Sequence, residues 1–273
     1  MASLNSIATS SRSVSALPFD QVQSEVPTVS LLGLDFADLS LGAVLGWLAA
    51  RPVNAPFGYV VTPNADHLVR IQRQPGLRPL YADAMLRLLD SRVVARAAKA
   101  TGLPAPAVVP GSDLTSYLVR QVIEPAEPVT ILGMASEAVD ALAQRWGLQR
   151  VAHYNPPMGF ERDSGSMEQA IRFIEDNPAR FSFLAVGSPR QCMVAHAVAL
   201  RGRARGTGLC IGASLLFLSG HELRAPRPVQ RAGLEWAWRL AQDPRRLARR
   251  YLVDSPAVLR LLRHEARAKR QLQ

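Results

Sequence analysis

A chain of 273 residues, 48% of them hydrophobic, is long enough for one large or two modest domains with a real core. Its 32 basic and 22 acidic residues leave a net charge of +10, which points to an anionic partner: nucleic acid, a phosphorylated ligand or an acidic membrane surface. The two cysteines, Cys192 and Cys210, stand in no metal-ligand spacing and cannot make a disulfide framework, and no apolar run approaches the roughly 18 residues of a membrane span.

The first 25 residues, MASLNSIATSSRSVSALPFDQVQSE, are serine-rich and lack a compact apolar stretch, so they read as a disordered leader rather than a secretion signal. Order is expected from Val26, with VPTVSLLGLDF as a first strand and Asp38 to Arg51 as a helix with a broad apolar side. Gly58 to Val61 predicts a short strand, Thr62-Pro63-Asn64 a turn, and Ala65 to Arg73 a helix. Polar residues just past a strand are where α/β sheets bind ligands, which singles out Thr62, Asn64 and Asp66; turn and cap chemistry is the plainer role for the same residues.

Ala84 to Leu89 is a further apolar run, ending in Asp90-Ser91. A carboxylate just past a buried strand is placed to act as a general base, or equally to cap the following helix, Val93 to Ala100. LPAPAVVPGSDL predicts a proline-rich loop into a helix capped by Ser112 or Asp113. Val129 to Leu132 with Gly133 repeats the strand-glycine pattern, followed by a helix from Glu137 to Trp146 and a strand from Leu148 to Tyr154. NPPMGF then forms a rigid loop, and Met167 to Asn177 a helix.

The stretch FSFLAVGSPRQCMVAHAVAL, Phe181 to Leu200, organises the chain. Phe181 to Val186 predicts a buried strand, Gly187 a tight turn, Ser188 an N-cap and Pro189 the first helical residue, with Arg190 and Gln191 in the first turn and an apolar run from Met193 to Leu200. A helix N-terminus presents N–H groups and a partial positive charge, which suits a phosphate or diphosphate; an ordinary strand-to-helix turn is the competing reading. Gly208 to Gly212 is the expected last strand. Strands and helices alternate throughout, which predicts a mostly parallel sheet with helices on both faces. GxGxxG after the first strand, GxxxxGK[ST], HExxH, CxxC and GxSxG are all missing, so dinucleotide, P-loop, zinc-protease, redox and serine-hydrolase readings lack their motifs.

After Gly220 the pattern changes to two or three helices broken at Pro226–Pro228, Pro244 and Pro256. From Arg224 to Arg270, thirteen basic residues stand against four acidic ones, so this segment carries nine of the ten excess positive charges. Basic helices with tryptophan, tyrosine and leucine faces suit an anionic bilayer surface, a phosphate-rich ligand or RNA; a solvated basic face on helices packed against the core is the plainer alternative. The expected organisation is a leader over 1–25, an α/β core over 26–220 and a basic helical appendage over 221–273.

Taken in order, TPNADHLV, the apolar run ending in Asp90, PGSDL, NPPMGF, VGSPRQ and RAPRPVQRAGLEWAWRLAQDPRRLARRYL together resemble the WecG/TagA/CpsF family of bacterial glycosyltransferases, from about Val26 to Leu252. The resemblance implies a Rossmann-like core with a C-terminal appendage, and an inverting, metal-independent enzyme with no cofactor. Such an enzyme moves a hexose-type sugar from a UDP-sugar to a polyprenyl-diphosphate-linked saccharide in exopolysaccharide or cell-surface polysaccharide synthesis. It would work as a peripheral protein on the cytoplasmic, anionic face of the bacterial plasma membrane. By the same resemblance Asp90 is the general base, and Thr62, Asn64 and Gln191 line its pocket. Gly187 and Ser188 open the helix that faces phosphate, and appendage arginines, Arg249 and Arg250 first, hold the diphosphate-lipid head group. Relatives can be oligomers, so a homo-oligomer stays open.

The chain departs from the family pattern at Ser91, where glycine is usual, at Cys192, where glutamate is common, near Val108, where many members have arginine, and at Leu216, where an acid is usual. These departures fall on donor contacts more than on the fold and point to a divergent branch with a donor other than N-acetylmannosamine. Two other functions compete: a nucleic-acid-binding module using the basic helices, which the family-like pattern and the core pocket disfavour, and a transferase relative that has become an inactive scaffold.

Overall fold

The computed structural model describes residues 26–223, 225–248 and 256–271. Arg249 and Arg250, the two arginines expected at the lipid head group, lie outside them, as does the leader.

The centre is a six-stranded sheet in which every paired neighbour is parallel. Its strands are β3 (Gly58–Val61), β4 (Leu86–Arg87), β5 (Pro128–Leu132), β6 (Arg150–Tyr154), β7 (Phe181–Leu184) and β8 (Thr207–Cys210), in the spatial order β4-β3-β8-β7-β5-β6. These are the apolar runs of the sequence, and their alternate residues feed two cores. Val60, Ile131, Phe181, Phe183 and Leu209 point to one face, and Tyr59, Val61, Leu132, Leu184 and Cys210 to the other.

The first face is covered by α1 (Leu41–Ala50), α5 (Gly111–Gln121), α6 (Ser136–Trp146) and α9 (Ser214–Ser219), through residues such as Trp47, Leu114, Leu142 and Leu215. The second is covered by α2 (Ala65–Arg73), α4 (Arg92–Ala100), α7 (Ser164–Asp176) and α8 (Arg190–Arg201), through Leu68, Val94, Ile171 and Val194. The short α3 (Pro79–Ala82) lies between α2 and β4 in the chain. The expected α/β class with helices on both faces is the observed one.

Several local expectations are corrected. VPTVSLLGLDF is not one strand of the main sheet but a separate antiparallel hairpin, β1 (Thr28–Leu31) with β2 (Leu34–Ala37). Its turn uses positive φ at both Leu32 (52°) and Gly33 (74°), and side chains from α2 and beyond hold it: Gln72 Nε2 donates to Leu32 O at 3.0 Å and Arg78 Nη1 to Gly33 O at 2.7 Å. In the run Ala84–Leu89 only Leu86 and Arg87 pair as a strand; Leu89 makes a separate bridge to Val108. Neither Ser112 nor Asp113 caps α5, because the helix already begins at Gly111, after Pro110.

Beyond β8 come α10 (Arg227–Ala232), α11 (Glu235–Gln242), α12 (Pro244–Ala248) and α13 (Ala257–Gln271). The last of these inserts Val258, Leu262 and Ala266 into the core shared with α2 and α4. Glu265 Oε2 also accepts from Leu32 N at 2.7 Å, so α13 clamps the hairpin turn. The exposed side of the same helix carries Arg260, Arg263, Arg267 and Arg270.

Candidate functional site

A cavity of about 1030 Å³ opens at the C-terminal ends of four adjacent strands, β4, β3, β8 and β7. The helix after β8, α9, lies on the opposite face from α2 and α8, which follow the flanking strands β3 and β7. The chain therefore parts at β8, and a crevice outside the strand ends is where such a sheet takes ligands.

Seven ligand candidates from the sequence meet on this cavity: Thr62, Asn64, Asp66, Asp90, Gly187, Ser188 and Gln191. Thr62 leaves the end of β3 and is 8% exposed. Its side chain packs against Gly111, where an added Cβ would stand 2.8 Å from Thr62 Oγ1. Asn64 also carries the plainer role foreseen for it. Its side chain accepts from Asp66 N at 3.1 Å and His67 N at 3.4 Å, and His67 Nδ1 accepts from Asn64 N at 3.1 Å, a reciprocal cap of α2.

Asp90 follows β4. Its N–H donates to Pro63 O at 3.0 Å, which ties it to the Thr62 turn. Its Oδ2 accepts from Gly111 N at 3.4 Å, so the N-terminus of the eleven-residue α5 faces the carboxylate, a position that favours negative charge. The alternative of a capping Asp90 is not what is seen: Ser91 caps α4, accepting from Val94 N at 3.2 Å.

The helix start at Gly187–Gln191 differs from the expectation. Ser188 does not cap α8, and Pro189, not Ser188, precedes its first residue, Arg190. Ser188 Oγ instead pairs with Tyr81 Oη at 3.0 Å, and its carbonyl accepts from Arg70 Nη1 at 3.1 Å. Burial, more than the neighbouring Cys192, raises the pKa of the Tyr81 phenol, so it stays protonated in this contact. Gln191, 5% exposed, accepts through Oε1 from Gly212 N at 3.0 Å and so joins α8 to the loop after β8.

Other groups on the cavity were not assigned from the sequence. Arg70, one turn after Asp66 on α2, pairs with it at 2.7 Å; the i,i+4 spacing was the available signal. Cys210 also lines the cavity, but burial first, and its contact with Cys192 next, push its thiol well up, so it is held protonated rather than as a nucleophilic thiolate. The outer wall comes from Glu222, Gln230, Trp236 and Asp243. No periodicity could have revealed this, because it depends on how α10 and α11 fold back over the strand ends. Among the described residues no three His, Cys, Asp or Glu side chains group as a metal site would, and no helix is long and apolar enough to cross a membrane.

Asp90, the buried amide of Gln191, hydroxyls, Arg70 and further carboxylates on the outer wall thus surround a space large enough for a polar ligand of nucleotide-sugar dimensions. The family model for glycosyl transferases of the WecG/TagA/CpsF family matches residues 29–272, and the chain belongs to that family.

Proposed function

We propose that this WecG/TagA/CpsF glycosyltransferase moves a hexose-type sugar from a UDP-sugar to a polyprenyl-diphosphate-linked saccharide, with inversion and without a metal. The observation that carries the reading is the placement of Asp90 beside Thr62, Asn64 and Gln191 on one cavity at the sheet's C-terminal edge. In a single displacement the acceptor hydroxyl oxygen bonds to the anomeric carbon as the bond from that carbon to the diphosphate oxygen breaks. Asp90 takes the hydroxyl proton, and the bonding pair leaves with UDP. Thr62, Asn64 and Gln191 position the substrates. The departing diphosphate is met by Arg70 and by the chain at Gly187 and Ser188 ahead of α8; the Gln191 and Cys192 N–H groups that follow are already taken by Gly187 O and Pro189 O.

Arg249 and Arg250 are proposed to hold the lipid-linked diphosphate. The exposed arginines of α13 and the exposed Leu223 (71%), Leu234 (48%) and Leu259 (38%) support binding at an anionic membrane surface, the inner face of the plasma membrane. The test is UDP release from a panel of UDP-sugars, with a short-chain polyprenyl-diphosphate-sugar as acceptor, in the presence and absence of EDTA. Acceptor-dependent release with one donor, unchanged by EDTA, is expected. Release that needs a divalent cation would overturn the metal-free step, and a folded protein that binds no UDP would overturn the reading as a whole.

A further inference from the structure

We propose that the side-chain amide of Gln191 donates a hydrogen bond to the leaving oxygen of the nucleoside diphosphate, on the far side of the sugar from Asp90; this rests on the transferase reading above. Polarity carries the argument. An amide has an accepting end and a donating end, and the accepting end of Gln191 is in use: Oε1 takes the bond from Gly212 N at 3.0 Å. A backbone N–H can only donate, so the amide cannot turn over without losing that bond. The Nε2 end is left for the cavity that Gln191 lines. The residue is 5% exposed, and among the described residues Nε2 has no acceptor within hydrogen-bond distance. A buried N–H2 group without a partner is costly, and an oxygen brought in by a ligand removes that cost.

Strand order decides which side of the sugar this amide meets. The strands under the cavity run β4-β3-β8-β7. Asp90 follows β4, and its N–H is tied to Pro63 O, just beyond β3, at 3.0 Å. Gln191 follows β7 and holds the loop after β8. The base therefore belongs to the β4–β3 side and the amide to the β8–β7 side. A single displacement with inversion needs the attacking and leaving oxygens on opposite faces of the anomeric carbon. With the proton acceptor over β4 and β3, the leaving oxygen falls over β8 and β7. The midpoints of the two strand pairs lie two strand spacings apart, roughly 10 Å, which leaves room for a sugar ring between base and amide.

The surroundings suit a phosphate oxygen. Such an oxygen accepts without donating, which matches an N–H2 group. Ser188, just ahead of α8, lines the same cavity, and its carbonyl draws in Arg70 Nη1 at 3.1 Å, which brings a guanidinium to the same turn. The backbone of that turn is partly spent, since Gln191 N donates to Gly187 O and Cys192 N to Pro189 O, both at 2.9 Å. As the C–O bond breaks, its electron pair moves onto the leaving oxygen, so a fixed donor there gains strength in the transition state and acts on kcat. Asn64 provides the contrast. Its Oδ1 is likewise held by backbone N–H groups, those of Asp66 and His67, and its Nδ2 end is left for the cavity, but on the β3 side with Asp90.

Isosteric exchange on the full chain tests this. Gln191→Glu keeps the shape of the side chain and an oxygen for Gly212 N–H, but replaces the donor with a carboxylate oxygen; Asn64→Asp makes the same exchange on the side of the base. Calorimetry with uridine, UMP and UDP reads binding, and UDP release reads kcat. Gln191→Glu is expected to weaken UDP by about tenfold or more and to lower kcat by about 10²-fold, while uridine and UMP, which lack the phosphate that bears the leaving oxygen, stay within about twofold. Asn64→Asp, which adds the same charge, should leave UDP affinity within about threefold. Gln191→Met, neutral and of similar length, should weaken UDP severalfold and replaces the carboxylate variant if thermal melts show that Gln191→Glu has lost its fold. Folded Gln191 variants that bind UDP like the wild-type protein, equal losses for all three probes, or an Asn64→Asp loss as large as that of Gln191→Glu would overturn the assignment. A folded wild-type protein that binds none of the three would instead overturn the transferase reading beneath it.

Discussion

The two ends of the parallel sheet each carry a cavity, and their polar groups are used differently. At the N-terminal ends of the strands a space of about 580 Å³ is lined by Glu127, Arg180 and Arg205. There the charges face each other and the backbone: Arg180 Nη1 lies 3.6 Å from Glu127 Oε1, Nη2 donates to Ala49 O at 2.5 Å, and the guanidinium stands 5.0 Å from the Phe181 ring centroid. Nearby, Arg51 Nε donates to Thr207 Oγ1 at 3.2 Å, and burial lowers the pKa of the Arg51 guanidinium. At the C-terminal ends, Asn64, Asp90 and Gln191 take hydrogen bonds from backbone N–H groups of adjoining loops and helix starts. A backbone donor fixes the direction of a side chain through an element that cannot rotate away. The first arrangement ties elements together; the second aims groups at a common space. The larger cavity is the one whose polar side chains accept from backbone N–H groups, while at the smaller one the charged side chains hold one another and a backbone carbonyl.

One substitution at each end of the sheet separates the two roles. Asp90→Asn should lower turnover by about 10²–10⁴-fold, the span expected for removing a general base, with the melting temperature little changed. UDP release beside a thermal melt measures both, and near-normal turnover would remove Asp90 from the chemistry. Arg180→Ala should do the reverse. It strands Glu127, whose side chain is only 15% exposed, and should cost about 1–3 kcal/mol in urea unfolding while kcat holds. A loss of kcat in the folded Arg180→Ala protein would show that the two ends are coupled.

How far the sequence led differs between these ends as well. The strand ends could be read because each is a short apolar run closed by Thr62, Asp90 or Gly187, a purely local signal. Ser188 misled because its hydroxyl is taken by Tyr81, more than a hundred residues earlier in the chain, a partner that cap statistics cannot anticipate. The hairpin at Leu32-Gly33 escaped because its turn places a leucine at positive φ, where Asn or Asp is the usual sign. Trp236 and Asp243 could not be placed at all, since only the folding back of α10 and α11 brings them opposite Asp90. The Arg180–Glu127 contact was equally invisible, because 53 positions of chain separate partners that the parallel pairing of β5 and β7 makes neighbours.

A smaller effect sharpens the picture inside the site. Gly111→Ala should press a methyl group onto Thr62 Oγ1, 2.8 Å away, beside the N–H that reaches Asp90. Accommodation by a shift of a few tenths of an ångström should lower kcat severalfold and leave stability nearly intact, since alanine is the better helix former. Unchanged kcat would show that the Thr62–Gly111 spacing is not set by the chemistry.

The smallest expected effect lies behind the site, where α7 braces α8. Glu168 accepts from Arg172 Nε at 2.7 Å and from Arg201 through both carboxylate oxygens, and these bonds, those from Arg201 first, hold its pKa down at about 2. Because the folded-state pKa lies below the ordinary value of 4.5, the contribution is present above that value and fades as pH falls toward about 2. Glu168→Gln should therefore melt slightly below the wild-type protein at neutral pH, with the gap closing on acidification. The pair is solvent-accessible, so added salt should narrow the gap too. A difference that is constant with pH would assign Glu168 a packing role instead. A fall in kcat at neutral pH would mean that the brace also sets the position of Gln191 at the other end of the same helix.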